Sequence, residues 1–157
     1  MSMFLVEATV TGITPAVAYA SGDQIGAVVP FDLNGIVQPG ARFGIRQVVV
    51  VDASDTLAAF DLCLFDQSVT VATDNDAAST SDAQALFSHG VISIVAANIV
   101  DLGPGRVATI IPGNGGYHCA ATQAGGNGIL YGTLIARAAI TPAAATDIRV
   151  KLYLEID

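Results

Sequence analysis

Asp74-Asn75-Asp76, with Ser79 and Asp82 close behind, is the run in this 157-residue chain whose side chains offer several hard oxygen donors together. Calcium takes about six to eight oxygen ligands, and a carboxylate pair with an asparagine between them is a way to begin such a shell. The EF-hand spacing is absent, since no glycine stands at the sixth position of the loop and no glutamate at the twelfth. Asp, Asn, Ser and Thr are also the residues that close ordinary turns through their own backbone. The segment is therefore read as a polar loop, with a cation at a subunit junction as the alternative.

The remaining chemistry-bearing residues do not assemble into a recognisable site. His89 and His118 are the two histidines, and Cys63 and Cys119 the two cysteines. Neither a Cys-x-x-Cys nor a His-x-x-x-His spacing links them, so a zinc set is not formed. His118 and Cys119 are adjacent in a predicted strand, where neighbours face opposite ways, which argues against a base and nucleophile pair. The cysteines are expected to be buried free thiols rather than a disulfide. Gly113-Asn114-Gly115-Gly116 matches no phosphate-binding loop and precedes no helix, so it is read as turn glycine. The pairs Asp52/Asp55 and Asp61/Asp66 lie on or beside predicted strands and are read as solvated acids. No enzyme activity, metal or cofactor is expected.

What must carry these residues is an all-β domain. Ile148, Val150, Leu152, Leu154 and Ile156 alternate with Arg149, Lys151, Tyr153 and Glu155. This period of two gives one aliphatic and one polar strand face. Further strands are predicted over Met3–Thr11, Gln24–Leu33, Arg42–Asp52, Leu57–Phe65, Val91–Val100, Arg106–Ile111, Tyr117–Gln123 and Ile129–Ala138. Pro30 implies an edge position or a bulge. Asn34-Gly35 signals a type I′ hairpin turn, and Pro39-Gly40 another turn. Val48 to Val51 indicates a strand covered on both faces, or one whose outer face meets another subunit. Ser81-Asp82-Ala83-Gln84 has capping-box spacing and predicts one short helical turn before Gly90. Short strands punctuated by Gly, Pro and Asn point to a single antiparallel sandwich or barrel across residues 1–157.

Composition adds a constraint on the surface. Hydrophobic residues make up 52% of the chain and charged residues 13%, about half of the ~25% usual for a soluble domain. So few charges leave either a monomer with a bland exterior of Ala, Gly, Thr, Ser and Asn or apolar surface covered by a partner. Subunit contact is the expectation, since extended apolar surface on soluble proteins marks interaction sites. The net charge of −8 and six basic residues dispersed along the chain (Arg42, Arg46, Arg106, Arg137, Arg149, Lys151) argue against nucleic acid. Glu7 interrupts the apolar start MSMFLVEATV, which lacks a basic n-region, so a signal peptide is not expected. No apolar run reaches the ~18 residues of a membrane span.

Several segments in order, Tyr19–Gly26, Gly40–Asp52, Phe60–Ser68, Asp74–Phe87 and Gly128–Asp157, resemble the small β-rich virion proteins of tailed bacteriophages, particularly head decoration (cement) proteins. The resemblance covers most of the chain from Tyr19 onward. It implies a jelly-roll-like antiparallel β-sandwich without catalytic, cofactor or metal residues. It also implies a homotrimer on the capsid exterior that binds the major capsid protein and stabilises its lattice. The protein would then be made in the host cytoplasm and reside in the virion. A tail, neck or fibre-base protein is one alternative; a carbohydrate-binding jelly roll is another, against which stand the 6% aromatic content and the lack of tryptophan.

Overall fold

Strict alternation places the C-terminal strand at the centre of the larger sheet. In the computed structural model, which describes residues 2–38, 41–113, 117–120, 128–145 and 148–156, β10 (Ile148–Ile156) buries Ile148, Val150, Leu152 and Leu154 completely. It lies antiparallel between β1 (Ser2–Thr9) and β3 (Arg42–Asp52). The far edge of β3 is shared: β7 (Arg106–Ile110) pairs along Val48–Asp52, and β8 (Tyr117–Ala120) pairs along Arg42–Ile45. β7 and β8 thus act as one strand interrupted between residues 110 and 117. β6 (Ile99–Asp101) extends the sheet beyond β7.

The second sheet runs β2 (Gln24–Asp32), β9 (Ile129–Ala136), β4 (Phe60–Phe65) and β5 (Ser88–Ile94), all antiparallel. With β7 and β8 counted together, the pairings nest: β1 with β10, β2 with β9, β3 with β7/β8, β4 with β5. A hairpin ribbon folded over on itself gives this connectivity, and it is that of a jelly roll. The expected all-β antiparallel sandwich is what the chain forms. Between the sheets pack fully buried side chains such as Ile45, Val48 and Val50 against Ile25, Phe31, Leu62 and Leu134. The helical turn is α1 (Asp82–Ala85), where Ser81 Oγ accepts from the Gln84 amide at 3.3 Å. Gln84 does not close the capping box; its amide meets Thr70 instead, at 2.8 and 3.0 Å, oriented to donate to the carbonyl and accept from the N–H.

Pro30 satisfies both expectations at once, because β2 is a sheet edge and carries a bulge between Ile25 and Val29. Gly26 sits in that bulge at φ +68°, where an added Cβ would lie 2.6 Å from the Thr11 carbonyl oxygen. Two further expectations fail. Asn34-Gly35 makes no hairpin: only Gly35 has positive φ, and the Ile36 and Val37 amides both bond the Leu33 carbonyl, at 3.0 and 2.9 Å. That helical turn carries the chain from one sheet to the other, and β2 pairs with β9 instead. The single strand predicted over Val91–Val100 breaks at a 3₁₀ turn, Ala96–Asn98, held by the Asn98 side chain accepting from the Val95 amide at 3.1 Å. Its two halves belong to opposite sheets. The strand predicted over Tyr117–Gln123 is described only as far as Ala120, and the Pro39-Gly40 turn lies outside the described residues.

Candidate interaction surface

The oxygen-rich loop works as a tether. Asp74 Oδ1 accepts from the Tyr19 hydroxyl at 2.5 Å and the Gly26 amide at 2.6 Å, and Oδ2 accepts from the Thr14 amide at 2.9 Å. One carboxylate therefore joins the loop, the N-terminal segment and the β2 bulge. Burial and the bond to Asp74 push the Tyr19 phenol well above its usual range. Asn75 takes a left-handed conformation (φ +64°) and donates its amide to the Gln24 carbonyl at 2.9 Å. The Thr73 hydroxyl donates to Asp76. Ser79 donates its amide to the Val71 carbonyl at 3.0 Å, and Asp82 opens α1. The candidate ligands thus do not share one centre: Asp74 and Asp76 are engaged in different bonds, and Asn75 Oδ1 is buried without a partner among the described residues. Among those residues no three His, Cys, Asp or Glu converge there as a metal set.

The paired aspartates also separate. Asp52 is fully buried, not solvated as the sequence suggested. Its oxygens accept from the amides of Ser54 (2.9 Å), Thr56 (2.6 Å) and Leu57 (2.6 Å), closing the corner between β3 and β4. A carboxylate buried this way is compensated by the donors it gathers. Asp55 pairs with Arg106 at 2.7 Å, while Asp61, also buried rather than solvated, pairs with Arg137 at 2.6 Å. Asp66 Oδ1 is buried without a partner among the described residues.

Cys63 and Cys119 are free and buried, as expected. They belong to different apolar layers, Cys119 to the main core and Cys63 to a smaller one. Burial pushes the Cys119 thiol up to about 12. Burial also raises that of Cys63, with Asp61 adding to the shift and Arg137 and Thr133 opposing it. His89 occupies the irregular step in β5, between the pairs Leu64 with Gly90 and Phe65 with Ser88. His118 stands opposite Gly44 in the other sheet; its side chain lies outside the description, as do residues 114–116 of the glycine run.

The smaller layer covers the outside of the four-stranded sheet. Val69, Val71, Ala78 and Phe87, from the segment after β4, pack on Cys63, Phe65, Tyr131 and Ile135. This explains why all six residues of β4 are buried although its side chains alternate between two faces. A hollow of about 200 Å³ remains beneath the segment, lined by Cys63, Phe65, Val71, Thr133 and Ile135 among others.

Among the described residues, nothing of this kind lies over the six-stranded sheet. Its outer rows carry Met3 and Leu5 on β1, Val49 and Val51 on β3, Val107 on β7 and Val100 on β6, as the registers place them. Met3 is 56% exposed, Val100 57% and Leu102 62%. Leu102, Pro104, Val51 and Val107 line a shallow hollow of about 320 Å³ at one end. The same face gathers Arg42, Arg46, Arg149 and Lys151 against two carboxylates, Glu7 and Glu155. Glu7 pairs with Arg149 at 3.3 Å and Lys151 at 3.4 Å, and Glu155 pairs with Arg46. Four of six basic residues on one face, in a chain of net charge −8, make this the cationic side of an acidic protein. Sequence order disperses these residues; strand register assembles them.

No family model matches the chain, and no curated protein is similar to it in sequence beyond chance.

Proposed function

We propose that this protein is a structural virion component that cements the head of a tailed bacteriophage from outside, applying the outer face of its six-stranded sheet to the major capsid protein lattice. The observation carrying this reading is that face: exposed aliphatic residues beside a small cation surplus, on the sheet that the described loops leave bare. Apolar surface of this kind favours association, and the charge contrast with the rest of the molecule orients the approach to an acidic partner. A standard interface buries about 800 Å² per partner, and repetition over a lattice multiplies modest contacts. The resemblance to decoration proteins supplies the identity of the partner.

The test is co-sedimentation with heads of the encoding virus assembled without the protein, followed by melting of the loaded heads. Binding with a raised capsid melting temperature supports the proposal. Failure to bind heads, or immunogold labelling at the tail or neck, overturns it.

A further inference from the structure

Sheet edges expose unpaired backbone donors and acceptors, and proteins ordinarily blunt them with proline, lysine, bulges or short length. Most edges among the described residues are blunted in this way. β2 carries Pro30 and the Gly26 bulge, and its Ala27 amide is already taken by the Thr11 carbonyl at 2.7 Å. β5 is bent at Gly90 (φ +124°), where its register with β4 shifts. β6 has three residues and β8 four.

Among the described residues β1 is the exception along Ser2–Glu7; beyond its end the bond between Ala27 and Thr11 brings β2 against the chain. Ser2–Thr9 pairs with β10 through eight consecutive positions without a register shift, and contains neither proline nor a basic residue. The Val10 amide bonds the Ile148 carbonyl at 2.9 Å, which fixes the even-numbered residues as those bonded to β10. Met3, Leu5, Glu7 and Thr9 therefore direct their backbone N–H and C=O outward. In the free chain water meets this row, and another extended strand can replace that water along its whole length.

We infer that β1 pairs antiparallel with β1 of a second copy of this chain, joining two six-stranded sheets edge to edge about a two-fold axis. A second copy fits because the arrangement is self-complementary: a two-fold along the sheet normal keeps the apolar face of both copies on the same side. The register that sets Leu5 opposite Leu5 of the other copy uses only outward-bonding residues. It places each Glu7 across from Met3, keeping the two carboxylates apart, while Arg149 and Lys151 already neutralise Glu7 within its own subunit. Like charges directly opposite would oppose pairing; here the strand has a single charge and the register avoids that clash. The pairing closes at two copies, not the three implied by the resemblance. It does not rest on the capsid reading, although it would present two attachment faces side by side.

Light scattering on the whole protein at micromolar concentration reads the copy number, and two variants test the edge. Leu5→Pro removes an outward donor and leaves the β10 ladder its own. Leu5→Cys places a thiol on the two-fold axis, where the ~5.5 Å Cα spacing of a bonded antiparallel pair suits a disulfide. The expected results are a wild-type dimer, loss of that dimer in Leu5→Pro, and an oxidised Leu5→Cys species of two linked chains. A wild-type monomer or trimer overturns the inference. So does a dimer in which Leu5→Cys fails to cross-link, and this arm stands even where Leu5→Pro does not fold. Head binding measured on the same samples fails or succeeds separately.

Discussion

The two sheets of this sandwich have opposite exteriors. Outside the four-stranded sheet, the chain folds its own segment back and builds a second apolar layer around Cys63, Phe65, Val69 and Val71. Outside the six-stranded sheet the described residues leave valines, leucines and paired ions facing water. Apolar surface covered internally contributes to folding; apolar surface left bare contributes only when a partner arrives. On the proposed reading, one fold therefore holds a face committed to its own stability beside a face available for assembly. Substitutions on the two should separate cleanly into those that unfold the protein and those that disarm it.

Phe65→Ala, beneath the covering segment, gives the largest effect, about 4 kcal/mol of stability read by chemical denaturation. A loss below about 1 kcal/mol would mean that the second layer adds little. Asp74→Ala follows at about 3 kcal/mol, because it strands the donors of Tyr19 and Gly26 together and leaves the Thr14 amide only the Tyr19 oxygen. Native-state proteolysis should then cut first within residues 66–87. Asp74→Asn should recover part of the loss, since its carbonyl oxygen still accepts while its nitrogen cannot.

The two cysteines sharpen the contrast through pH. Cys119 ionises near 12 when folded and near 9 in a free chain. Below pH 9 both states keep the proton and the contribution of the thiol is intact. Above it the unfolded chain ionises first, so stability falls as pH rises toward 12. Between pH 9 and 10.5 that amounts to about 2 kcal/mol, and Cys119→Ala should flatten the slope. An unchanged slope would assign the alkaline loss elsewhere, with the raised Tyr19 phenol the first candidate. The smallest effect on folding is expected on the bare face: Val51→Lys should change stability by less than about 0.5 kcal/mol while abolishing co-sedimentation with heads. Equal binding by this variant would move attachment off that face.

Local pattern carried much of this architecture. The bounds of β3 and β10 follow directly from valine density and from alternation. The Ser81 cap was readable as well, since a cap depends only on near neighbours. What depends on distant partners was not. Asn34-Gly35 announces a reversal without saying which strand lies alongside, and that partner proved to be β9. The break at Ala96–Asn98 carries no Gly or Pro, so apolar residues on both sides read as one strand. Val69, Val71 and Phe87 sit among polar residues, and only their packing on Cys63 and Phe65 reveals a cover. The cationic face was invisible for the same reason: Arg42, Arg46, Arg149 and Lys151 come to share one sheet face only through the pairing of β3 with β10.

Hydroxyl-radical footprinting of the protein, free and bound to heads at the same concentration, bears most directly on which exterior is used. Tyr153, Val100 and Leu102 should lose labelling on binding, while Leu86, 83% exposed beside the covered sheet, should keep it. Protection of Leu86 with Leu102 and Tyr153 unchanged would contradict the account.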